Sequence, residues 1–269
     1  MRLTSILGVA MLALAALGTP PAHAGRSCEE KKPAVETVVR GLRLAERTLH
    51  ALDASGHKVV LLARAGQDLS RYGLRYSHLG FAYRQPDGHG GHVWRVLHKL
   101  NHCGSAESAM YRQGLAEFFL DDLWRFEAAW VAPAAPVQDK LYALLLDEPR
   151  ALALHHKPYS IVSFAWGRKY QQSNQWAAET LAAAMTDGAT RQRAQAWLQW
   201  QDFQPAMLRI GALTRLGGRV AAANVAFDDH PDAQRFTDRI ETVTVESVFA
   251  WLGRSGLGGP VQVLRLDGT

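Results

Sequence analysis

Long apolar runs are scarce in this 269-residue chain, and cysteine is scarcer still, with two in the whole sequence. The longest apolar stretch, Ile6–Leu17, is about a dozen residues, short of the roughly 20 that a membrane-spanning helix needs. Leu141–Leu146 is shorter and sits inside an amphipathic pattern, so no membrane span is expected in the mature chain. No run of five basic residues occurs; the charges are interspersed and sum to +5. That spread argues against a nucleic-acid partner, although a pI near 9.4 permits loose contact with anionic envelope polymers. His89, His92, His98, His102 and Cys103 crowd one region, but their spacing fits no zinc pattern. Neither a metal site nor a cofactor is expected. Internal repeats, low-complexity tracts and linker-like composition breaks are also missing, which points to one domain.

What is present begins with a leader. Arg2 supplies a positive start, Ile6–Leu17 an apolar centre and Ala22-His-Ala24 a small-x-small cleavage site. Residues 1–24 therefore read as a secretory signal, leaving a mature domain over 25–269 that is periplasmic or secreted. Cys28 and Cys103 remain after cleavage. In an oxidising compartment two thiols usually pair, and Cys103 lies in a polar loop rather than at a helix start. A disulfide is expected ahead of a catalytic thiol.

At 48% hydrophobic, the chain can fill a proper core. Val35, Val38, Val39, Leu42, Ala45 and Leu49 recur at helical spacing after Pro33, predicting a helix to about Ala54. Lys58–Ala65 reads as a buried strand. Residues 77–84 and 92–100 flank the turn Pro86-Asp-Gly-His-Gly-Gly91 and read as a hairpin. Residues 104–124 read as helix or loop, Arg125–Val131 as a strand and Gln138–Leu146 as a short helix. Ser173 or Asn174 caps a further helix, and another covers Thr190–Trp200. Tyr159–Trp166, Ala221–Phe227 and Thr242–Phe249 look strand-like. This order predicts an α+β domain.

Two segments invite a chemical reading. Alternation puts His78 on one strand face with Gly80 and Ala82, leaving room for a close approach. Ser173 stands at a helix start, where unpaired amides and the helix dipole stabilise an oxyanion. A serine there needs a base within reach to become a nucleophile. On spacing alone, a core histidine and an ordinary serine N-cap are the simpler readings of the same residues.

Arg64-Ala-Gly-Gln-Asp-Leu-Ser70, Tyr76-Ser-His-Leu-Gly-Phe-Ala-Tyr83, Val96-Leu-His-Lys-Leu-Asn101 and Ser173-Asn-Gln-Trp176 together resemble the bacterial family termed domain of unknown function 2145. More distantly, Ser77-His-Leu-Gly-Phe81 is similar to the histidine strand of circularly permuted, NlpC-type papain-like peptidases. In those proteins the histidine strand precedes a helix headed by a nucleophilic cysteine, as His78 precedes Ser173. The resemblance implies an antiparallel sheet packed on helices and a hydrolase or acyltransferase acting on an amide or ester. Ser173 would attack, His78 would act as base and His98 would orient it. Asn174 and Gln175 would hold the oxyanion, and Gln67 and Asp68 would line a cleft for an envelope peptide, amide or lipid ester. Serine in the cysteine position leaves open a second expectation, a non-catalytic binding protein that keeps the cleft.

Overall fold

The computed structural model describes residues 32–121, 123–186 and 190–266; residues 1–24, expected to be a leader, and Cys28 lie outside them. The long first helix, α1 (Val35–Ser55), turns off at Gly56, whose φ of 70° is open to a residue without a side chain. β1 (Val59–Ala65) follows, and all seven of its residues are buried. A strand with no polar alternation must be covered on both faces.

The sheet meets that demand. β2 (His78–Pro86), β3 (His92–Asn101), β4 (Ser108–Gly114), β5 (Arg125–Val131) and β8 (Gln262–Arg265) join β1 in the order β4-β3-β2-β1-β5-β8. Every pairing is antiparallel. One face carries Val59, Leu61, Ala63, Leu79, Phe81 and Leu97. It packs on α3 (Ala135–Leu146), α5 (Ser173–Thr186) and α9 (Val245–Arg254). The other carries Val60, Leu62, Ala82, Trp94 and Val96 and packs on α1 and α2 (Leu115–Leu120). Each Leu or Val so buried contributes about 1.5–3 kcal/mol. In α5 the run Ser173–Ala184 is buried on every side, which suits its alanine-rich sequence.

Short α4 (Glu148–Leu152) and α6 (Arg191–Trp200) flank this core. A smaller lobe pairs β6 (Ala206–Arg209) with β7 (Arg239–Thr242) and adds α7 (Ala212–Ala221) and α8 (Asp232–Arg235). Its own core is Ile210, Val225, Phe227 and Ile240.

The α+β expectation holds, and the expected hairpin of 77–84 and 92–100 is present, with Phe81 opposite Leu97. Four segments differ. Residues 108–114 form β4, an edge strand with few β-branched residues that is drawn into the sheet by pairing with β3. Val245–Phe249 is the start of α9, because Thr244 and Ser247 close a capping box and override the β-branched composition. Residues 222–227 and 159–166 are irregular and are tied to each other, Ile161 N–H donating to Asn224 O and Ala226 N–H to Ser160 Oγ.

Candidate functional site

β2 turns His78, Gly80 and Ala82 toward α1 and α2. Gly80 is required there: a Cβ would stand 2.9 Å from both His98 Cβ and Val96 Cγ1. Across it, His98 Nδ1 lies 2.8 Å from His78 Nε2, and His98 Nε2 lies 2.8 Å from Gln113 Oε1. An amide oxygen only accepts, so His98 donates from Nε2 and accepts at Nδ1, and His78 donates from Nε2. Phe118 packs edge-on against the His98 ring, and the Arg64 guanidinium lies 4.7 Å over the Phe118 ring. Arg64 also donates to Phe118 O and to Asp121. Burial, and then the Arg64 charge, hold His78 well below the usual imidazole range and His98 at about 4. Both rings are neutral, and both are closed off from solvent.

Ser173 lies across the sheet. α5 packs on the face that carries Leu79, Phe81 and Leu97, where Trp176 meets Phe81 edge-on. The Ser173 hydroxyl donates to Lys99 O at 2.6 Å. The amide of Asn174 is taken by Gln172 Oε1 at 2.8 Å, so the cap of this helix comes from Gln172. Gln175 is spent on the 163–167 loop: it accepts from Ser163 Oγ and donates to Phe164 O, Ala165 O and Gly167 O. Gln67 and Asp68 are exposed, and the Asp68 carboxylate accepts from the amide and hydroxyl of Ser70, closing a polar turn. Cys28 lies outside the described residues, and with it the expected pairing to Cys103.

The structure therefore brings His78 and His98 together, and Ser173, Asn174 and Gln175 together, on opposite faces of one sheet. The papain-like arrangement needs the histidine and the helix start on the same face. His92 bonds Asp53 on α1, away from His98. Among the described residues no three His, Cys, Asp or Glu side chains are placed to hold a metal ion.

Beside Ser173 runs a network that the motif reading passed over. Lys99 is fully buried and donates to Gln171 Oε1 at 2.7 Å and His156 O at 2.6 Å. Gln171 passes the chain to Glu179, whose carboxylate also accepts from Arg191 and Gln195. Burial, helped by the Arg191 charge, lowers Lys99 to about 7. Its sequence signal was the alternation that set a lysine on the face of Leu97. A second buried carboxylate, Glu127, binds Arg75, Tyr76 and Arg265. Burial raises it, but those three donors outweigh burial and leave it at about 2.

Residues 51–252 match the model of a family described as an uncharacterized protein conserved in bacteria, DUF2145. The chain belongs to that family. No curated protein and no solved structure matches it. The DUF2145 match runs from the end of α1 to α9, so it takes in the histidine pair, the α5 start and the Lys99 network.

Proposed function

We propose that this DUF2145 member is a non-catalytic exported protein that binds an envelope ligand. One observation carries the reading: Ser173 and His78 lie on opposite faces of the sheet, the hydroxyl engaged by Lys99 O and the imidazole by His98. The same proposal has residues 1–24 removed as a leader, Cys28 paired with Cys103, and the protein held in the periplasm or secreted. Among the described residues, no helix is long and apolar enough to cross a membrane.

The ligand is a peptide, amide or lipid ester, and a cleft of about 530 Å³ offers it a place. His57, Trp130, Pro133, Gly259 and Pro260 bound this cleft, and Gln138 orders its wall. Gln138 Oε1 accepts from the amides of Lys58 and Val59, so its amide nitrogen faces Pro133 O and His57 Nδ1. His57 Nδ1 must accept, which leaves its Nε2–H as the donor for a ligand.

A fluorophosphonate probe tests the reading on the intact protein. Ser173 stays unlabelled, and Ser173→Cys gains no thiol-dependent amidase activity. Labelling of Ser173 that disappears in His78→Ala overturns it. One observation favours a serine hydrolase instead: Ser173 neighbours Tyr159, and Lys99 Nζ lies 6.0 Å from the Tyr159 ring. On that second reading the labelling of Ser173 survives His78→Ala and is lost in Lys99→Met.

A further inference from the structure

Helix α7 sits with its polar side inward. Arg215 is 7% exposed, and its guanidinium donates to four carbonyls: Ile210 O, Gln234 O, Arg235 O and Arg239 O. Its plane also lies 4.9 Å over Phe227, in the core of the small lobe. That clamp docks the helix through an arginine, and the apolar stripe is left outside. Leu213, Leu216 and Val220 are 86%, 61% and 82% exposed. At about 100° per residue these three fall within roughly 60° of arc, a single ridge along the helix. Phe236, next to a carbonyl that Arg215 holds, is 76% exposed. An amphipathic helix normally buries such a ridge, and a contiguous exposed one marks an interaction surface.

Charge says what covers it. Residues 205–226 contain Arg209, Arg215 and Arg219 and no acidic residue. Arg209 and Arg219 are exposed, and Arg219 lies about 60° round the helix from Leu216. Of the nearest acids after this stretch, Asp228 is held by Lys169 and Asp229 accepts from the amide of Phe164, while Asp232 and Asp238 belong to α8 and the turn before β7. Aliphatic side chains flanked by arginine fit the boundary between acyl chains and anionic headgroups. We propose that α7 is an interfacial helix that seats the protein on an anionic lipid surface, Leu213, Leu216 and Val220 entering the acyl boundary while Arg209 and Arg219 meet the headgroups. This surface is separate from the cleft lined by His57 and stands whether or not that cleft binds a ligand.

Co-sedimentation of the full protein with phosphatidylglycerol vesicles, and with phosphatidylcholine vesicles in parallel, tests this. The expected result is binding to phosphatidylglycerol that weakens with salt and falls about tenfold or more in Leu213→Ser/Leu216→Ser/Val220→Ser. Those side chains are exposed, so the variant should keep its far-UV circular dichroism; Arg219→Glu supplies an independent arm and should cut binding to phosphatidylglycerol. Failure to sediment with either vesicle overturns the proposal. So does a concentration-dependent dimer that the triple variant abolishes, since the ridge would then be covered by a second copy.

Discussion

Replacing Lys99 with methionine tests how firmly the interior holds a charge. The methionine keeps most of the apolar stem and removes the ammonium, while Gln171 Oε1 retains the amide of His156 at 3.0 Å. In the folded protein burial pulls Lys99 to about 7, against 10.5 for a free lysine. Between those values the unfolded chain carries a proton that the folded chain lacks. Stability therefore rises with pH across that window, and the cost of charging Lys99 is fully felt below it. The gap corresponds to about 5 kcal/mol at ~1.4 kcal/mol per pH unit. Lys99 is 0% exposed, so water screens little of it. Urea unfolding of both proteins, repeated over this pH range, gives the difference in their stabilities; groups common to both cancel. The wild type should gain on Lys99→Met by several kcal/mol as pH rises from about 7 toward 10.5. At neutral pH and below, the variant should be tolerated, as apolar replacements of buried charges commonly are. A flat difference across the window would refute the reasoning, because it would mean that Glu179, acting through Gln171, fully compensates the buried ammonium.

Gly80→Ala should cost about 1–3 kcal/mol in urea unfolding, since its new methyl meets the Cβ of His98 and the side chain of Val96 in a packed layer. His98 should titrate by NMR with a midpoint near 4. The unfolded chain takes up that proton first, so this residue's contribution to stability declines as pH falls from 6.5 toward 4; a midpoint near 6.5 would contradict its burial. Glu127→Gln should lower stability by about 2 kcal/mol, less than the 3–5 kcal/mol of a fully buried pair because Arg75 and Arg265 are partly solvated. An unchanged urea midpoint would show that the two arginines find equal partners in water.

Much of the fold could be read from spacing. The helix α1, the β2–β3 hairpin and the start of α5 follow from periodicity and turn residues, although α1 buries Leu44, Ala45, Thr48 and Leu52 and leaves Val35 and Leu42 of the expected stripe exposed; alternation correctly sorted His78 with Ala82 and His98 with Val96. What spacing could not supply was the face of the sheet on which α5 lies. β1 is buried throughout, and both faces of the sheet are lined with aliphatics, so no face is marked polar to repel a helix. The choice is made by packing of α5 on Phe81 and by the buried polar chain from Lys99 to Glu179, whose members are far apart in sequence. β4 and α9 escaped for the opposite reason: local composition pointed one way, while edge pairing and a capping box decided the other.

The same distinction explains why serine, and not cysteine, fits position 173. A nucleophile at a helix start and a structural donor at a helix start look alike in sequence, because both use a small polar side chain at the first turn. They differ in what the side chain touches. Here Gln172 caps the helix, which frees the Ser173 hydroxyl to bond the backbone of β3 at Lys99 O. That bond ties the first turn of α5 to the strand whose lysine continues into the Glu179 network on the same face. A thiol is a weak donor with longer contacts, so cysteine would loosen this joint. The hydroxyl that departs from the papain-like pattern is thus the group that the helix–strand contact requires.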